Sequence, residues 1–134
     1  MSLHILTTSR FDAHGPGVIL HQGLSDSDAA QVLAKNSFQV LPIIPSVETN
    51  SGSLKAGVLN GLIPIGLPGV TVGKLASAFI SINAYTPECF ARAFQIATAM
   101  PSAEREARRI GLAADADCYT IQHCAAKVIN ALTS

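Results

Sequence analysis

Phe38 to Gly66 reads FQVLPIIPSVETNSGSLKAGVLNGLIPIG, and the fold turns on this stretch. An apolar run, Phe38 to Leu41, ends in prolines, and a polar loop follows that carries one acidic residue, Glu48. Ser51 and Gly52 open a short helix, Asn60-Gly61 stops it, and a second apolar run begins at Leu62. Strand, loop, helix and strand in that order form the crossover that joins parallel strands. The loop lies at the carboxyl end of its strand, where open parallel sheets take ligands. The helix aims its first N–H groups and the positive end of its dipole at the same place, which suits a phosphate.

Outward from this centre, strands and helices continue to alternate. Leu3 to Thr8 is a plausible first strand, and Arg10 to Gly17 is loop chemistry built on Gly-Pro-Gly. Val18 to His21 reads as a short buried strand. Ser25 then caps a helix whose inner face is Ala29, Ala30, Leu33 and Ala34, with Asn36 ending it. Leu62 to Leu67 is a strand with an awkward internal Pro64, which demands an edge position or a local irregularity. Pro68 to Lys74 reads as a loop and Ala78 to Ile82 as the last strand. Thr86-Pro87 opens a helix, and Ser102 to Ile110 forms a charged helix stopped by Gly111. Ile121, Cys124, Ala125, Val128 and Leu132 mark the buried stripe of a final helix. The expectation is a single α/β domain over 1–134, a Rossmann-like parallel sheet with helices on both faces. The strands near Val18, Phe38, Leu62 and Phe79 would share that sheet.

Composition narrows the function classes. With 49% apolar and 13% charged residues the 134-residue chain is not disordered. Its formal net charge is zero and its basic residues are scattered apart from Arg105, Arg108 and Arg109, so no nucleic-acid partner is expected. That arginine group, with Glu104 and Glu106, reads as a solvated helix face with local ion pairs. Cys89, Cys118 and Cys124 give no disulfide framework and fit buried thiols in a reducing compartment. There is no signal-peptide pattern and no uninterrupted apolar span, so a cytoplasmic protein without a membrane span is expected. His4, His14, His21 and His123 show no pair at metal-ligand spacing, and neither metal nor cofactor is expected. Gly69 to Leu75 fails the phosphate-loop pattern at both ends, at Pro68 and at Leu75.

The central residues resemble the sugar-nucleotide-binding half of GT-B glycosyltransferases, glycosyltransferase family 4 in particular. In that family a strand ends in a Pro-Ser-type loop, followed by a Glu, seven residues, a second Glu, a small residue, Gly and Pro-Val. Glu48 matches the first Glu, while Ala56 stands where the second belongs. Gly61, Pro64 and Ile65 match the closing signal, with one extra residue between Gly and Pro. The resemblance runs from roughly Val18 to the C-terminus in order of elements, about the last two-thirds of such a nucleotide domain. It implies a Rossmann-like domain incomplete at its N-terminal side, binding a nucleotide diphosphate sugar and transferring a hexose only with an acceptor domain.

The resemblance also implies that Glu48 contacts sugar hydroxyls; a solvated loop carboxylate is the alternative. Thr49, Asn50, Ser51, Gly52 and Ser53 form a polar stretch at a helix start, and the N–H groups of Gly52, Ser53 and Leu54 could receive a phosphate. Ser51 is equally read as an N-cap alone. Ala56 cannot accept the ribose hydroxyls that the family's second Glu holds, and no basic clamp matches, so only weak binding is expected. No catalytic residue is identifiable. The competing expectation is a non-catalytic α/β module that assembles as a homo-oligomer or with a missing domain through uncovered apolar surface.

Overall fold

A computed structural model describes residues 2–7, 10, 12–116 and 121–133, with the side chains of 121–124 outside that description. Thr8, Cys118, and the side chains of Ile121, His123 and Cys124 therefore lie outside the described residues. The chain divides into two compact units, Met1–Asn36 and Ser37–Ser134, taken in turn.

The first unit holds β1 (Leu3–Thr7), β2 (Val18–Gln22) and α1 (Asp26–Ala34). The strands pair in parallel with Leu3 opposite Val18 and Thr7 opposite Gln22. Ser25 caps α1 by accepting from the Asp28 N–H at 3.1 Å, as its sequence demands. Asn36 closes the helix, donating its side-chain amide to the Val32 carbonyl at 2.7 Å. The expected inner face of α1 is not buried: Ala29, Ala30 and Leu33 are only half-covered and Ala34 is exposed. Two short strands and one helix offer too little surface to close over it.

The second unit holds β3 (Phe38–Leu41), α2 (Gly52–Leu59), β4 (Ile63–Gly66), a 3-10 segment (Val70–Ala78), β5 (Ile80–Ser81), α3 (Pro87–Ala99), α4 (Ser102–Ala116) and α5 (Ile121–Thr133). Its sheet has the order β3-β4-β5, all parallel. Among the described residues the strands thus form two parallel sheets, of two and three strands, and not the one sheet expected. The α/β class and the parallel pairing stand. The difference arises because β2 takes its ladder partner from β1, fifteen positions upstream in register, while β4 is the ladder partner of β3.

Local signals set the elements as the sequence predicts. Ser51 accepts from the Leu54 N–H at 3.2 Å to start α2. At its end Gly61 (φ 79°) turns the chain, the Gly61 N–H bonds to the Val58 carbonyl, and the Leu62 N–H to the Gly57 carbonyl. Those two bonds make the left-handed C-terminal motif that glycine favours. Thr86 caps α3 with Pro87 in its first turn. Gly111 does not end α4, which runs on to Ala116. Leu112 and Ala116 are buried there, and their packing outweighs the roughly 1 kcal/mol that an interior glycine costs.

Pro64 sits in the central strand, opposite Gln39. The Ile63 N–H donates to the Ser37 carbonyl and the Ile82 N–H to the Gly66 carbonyl. Alternation along the strand therefore turns the nitrogen of residue 64 toward the β5 side, at the level of Ala78, before β5 begins. The Ala78 carbonyl, which a residue-64 N–H would have served, accepts instead from Arg108 Nη1 at 3.2 Å, and the Phe79 carbonyl does so at 3.1 Å. A late β5 and an arginine substitute for the missing donor. The same arrangement shortens the expected strand Ala78–Ile82 to two residues. The presumed loop Pro68–Lys74 is in fact largely the start of the 3-10 segment, which kinks at Gly73 (φ 54°, ψ −122°).

The core lies between β3, β4 and β5 and the helices packed on them. Leu41, Val47, Leu54, Val58, Ile63, Ile65, Val72, Leu75, Ile80, Ala93, Ala97 and Leu112 are buried in one cluster. α5 is helical as expected, but the described part of its expected stripe is not buried: Ala125, Val128 and Leu132 are exposed, as is Ile129 beside them. No helix among the described residues is long and apolar enough to cross a membrane.

Candidate functional site

The loop after β3 continues the sheet beyond its strands. Val47, fully buried, forms a parallel bridge with Pro68: its N–H donates to the Leu67 carbonyl at 2.7 Å, and its own carbonyl accepts from the Gly69 N–H at 2.8 Å. Sequence alternation then turns the next side chain, Glu48, away from the core and over the start of the 3-10 segment. Its Oε1 accepts from Ser46 Oγ at 2.9 Å, and its Oε2 accepts from the Thr71 N–H at 3.0 Å and from the Thr71 hydroxyl. The Thr71 hydroxyl oxygen in turn accepts from the Thr49 N–H at 3.0 Å. Glu48 is thus a latch between the loop after β3 and the start of the 3-10 segment, at the carboxyl end of the sheet.

Hydrogen bonds to the ionised form favour it. The Thr71 hydroxyl first, then the Thr71 N–H and the Ser46 hydroxyl, hold the Glu48 carboxyl below the ordinary glutamate value, against a smaller opposing effect of desolvation. Gly69 makes room for the latch. A Cβ there would stand 1.8 Å from Glu48 Oε1, a distance no contact tolerates.

Beside the latch, the Ser51 N–H bonds to the Glu48 carbonyl at 3.0 Å, which turns the chain into α2. The Leu54 N–H is spent on Ser51 Oγ, leaving the exposed Gly52 and Ser53 amides as the donors at this helix end. Asn50 is exposed and Thr49 half-covered. The structure therefore brings Glu48, Thr49, Asn50, Ser51, Gly52 and Ser53 together on one accessible rim, whereas the Leu54 side chain is in the core. Ala56 is exposed one turn further along the same helix. Ile44 and Val70, 77% and 95% exposed, are apolar residues of the loop after β3 and of the 3-10 segment that the latch joins.

Sequence reading missed Thr71, Ser46 and Gly69. Thr71 lies 23 positions from Glu48 in a segment that the sequence reads as a loop, and no local pattern ties the two. The arginine group is placed differently as well. Arg108 pairs with Glu104 at 2.9 Å and Arg109 with Glu106 at 3.6 Å, as expected of ion pairs on a helix face. Yet Arg108 is only 25% exposed and reaches the carbonyls that precede β5, while Arg105 lies over the Phe38 ring at 6.0 Å. Phe38 opens β3 and Phe79 precedes β5, so these cations serve the amino end of the sheet, away from Glu48. Among the described residues no group of three or more His, Cys, Asp or Glu could hold a metal ion. The chain matches no protein-family model, no curated protein and no solved structure.

Proposed function

We propose that this chain is a nucleotide-diphosphate-sugar-binding half domain of the GT-B type, related to glycosyltransferase family 4, that binds weakly and transfers nothing by itself. The observation that carries the reading is the rim at the carboxyl end of β3, where the Gly52 and Ser53 amides open a helix beside the Glu48 carboxylate. Helix-end amides receive a diphosphate, and a carboxylate held by loop hydroxyls can exchange those bonds for sugar hydroxyls. In a complete enzyme Glu48 would orient the hexose and the start of α2 would stabilise the leaving diphosphate, with the acceptor supplied by a second domain.

Binding is weak for two reasons. Ala56 offers no acceptor to the ribose, and the Arg105, Arg108 and Arg109 group sits at the other end of the sheet. Each missing charged hydrogen bond costs about 1.5–3 kcal/mol. Together they put the dissociation constant in the high micromolar to millimolar range, roughly. Calorimetric titration with a uridine or guanosine diphosphate hexose checks this. Weak binding that Glu48→Ala weakens further supports the proposal; no detectable heat up to several millimolar ligand, roughly, contradicts it.

A second reading, a non-catalytic assembly module, draws on α5. Val128, Ile129 and Leu132 are exposed at helical spacing, 58%, 59% and 80%. Apolar stripes of this kind are ordinarily covered. This reading predicts a homodimer or larger assembly, and sedimentation of a monomer at high concentration would refute it.

A further inference from the structure

Sequence spacing yields no histidine pair, but the strand register does. His4 lies opposite Ile19 and His21 opposite Leu6, so His4, Leu6, Ile19 and His21 share one face of the β1–β2 sheet. His4 Nδ1 and His21 Nε2 stand 3.0 Å apart. The rings are 11° from coplanar with centroids 5.3 Å apart, a separation that equals one hydrogen bond plus a ring radius at each side. The imidazoles therefore meet edge to edge and share one proton, and they are not stacked face to face. His4 Nε2 faces Ser2 Oγ at 3.3 Å.

We propose that His4 and His21 form a two-histidine clip for a borderline divalent transition-metal ion, Zn²⁺ being the type. Two nitrogens bound to one such ion at about 2.0–2.1 Å stand roughly 3 Å apart, which the strands already provide. In the hydrogen-bonded pair the two nitrogens face each other, so an ion would enter only with a turn of each ring about its Cβ–Cγ bond out of their common plane. Binding requires the shared proton to pass through water from the facing nitrogen to the outer nitrogen of the ring that carried it, so that His4 binds through Nδ1 with its N–H on Nε2 beside Ser2 Oγ, and His21 binds through Nε2 with its N–H on Nδ1. A hydrogen bond from the second nitrogen of this kind orients metal-bound histidines. Both side chains are half-exposed, so water fills the remaining positions.

A second observation points the same way. Not one described residue of the unit Met1–Asn36 is buried. Chain segments this small usually need a metal, a disulfide or a partner to hold their shape, because binding free energy becomes folding free energy. An ion joining β1 to β2 supplies what that unit lacks.

The test is titration of the full chain with Zn²⁺ alone, read by the imidazole nitrogen resonances and by amide hydrogen exchange. The expected result is one ion that moves the His4 and His21 ring signals together and slows exchange at Ile5 and Leu20. His4→Ala and His21→Ala should each weaken that binding by about tenfold or more, and His14→Ala should not. Unmoved His4 and His21 rings in the unaltered chain, or binding indifferent to both variants, would overturn the proposal.

Discussion

In the unit Ser37–Ser134, three parallel strands and the helices around them bury Leu54, Ile63, Ile65 and Leu112 almost completely. In the unit Met1–Asn36, two parallel strands of similar composition and an equally well-capped helix leave every described side chain at least partly open. The caps are alike: Ser25 and Ser51 each hold the N–H three residues on. The difference is layering. A third strand and the paired packing of α2 and α4 give the longer unit a closed interior, and a cap worth about 1 kcal/mol cannot replace that. Good local signals make elements, whereas burial makes a stable domain.

That contrast is most easily broken in the core. Leu54→Ala should destabilise the longer unit by about 2–5 kcal/mol, whereas Leu20→Ala, removing a half-covered side chain, should cost the shorter unit less than about 1 kcal/mol. Chemical denaturation monitored separately in each unit measures both, and equal losses would remove the distinction. Next in size is Gly66→Ala. Its Cβ would meet the Leu41 carbonyl at 3.0 Å and Val47 Cγ2 at 3.2 Å inside the sheet, where neither can withdraw far. A loss of about 1–3 kcal/mol is expected.

Smaller effects belong to the rim. Gly69 has an ordinary φ of −86°, so Gly69→Ala strains no backbone; its methyl simply evicts the Glu48 carboxylate from Thr71. It should reproduce the phenotype of Glu48→Ala. Because the folded-state pKa of Glu48 is lowered, its contribution to stability is fully present above the ordinary glutamate pKa and is lost as the pH falls toward and through the depressed value. Gly69→Ala and Glu48→Ala should both flatten the acid limb of the stability–pH curve. An unchanged limb would show that the latch is not closed in solution. The smallest change in stability is expected from Leu132→Asp on α5, an exposed position, which should leave unfolding within about 0.5 kcal/mol while dissociating any dimer.

Much of this was legible in the sequence because it is local. Ser51, Asn60-Gly61 and Thr86-Pro87 announce helix ends through bonds that span three to five residues, and the structure makes those bonds. The rim from Glu48 to Ser53 was legible for the same reason. What escaped is non-local. Thr71 reaches Glu48 from 23 residues away, His21 reaches His4 across 17, and Arg108 replaces a proline's missing donor across the sheet. Gly111 misled because a glycine inside a helix is a local penalty that the burial of Leu112, invisible in sequence, overrides. The final helix misled in the opposite sense, since an apolar stripe says that something should cover it without saying what.

The most direct test of the proposed site is an amide chemical-shift map of the full chain titrated with a uridine or guanosine diphosphate hexose. The account predicts the largest shifts at Gly52 and Ser53, smaller ones at Thr49 and Thr71 as the Glu48 latch readjusts, and none at Arg105 to Arg109. Shifts confined to the arginine helix, or none around Gly52, would contradict it.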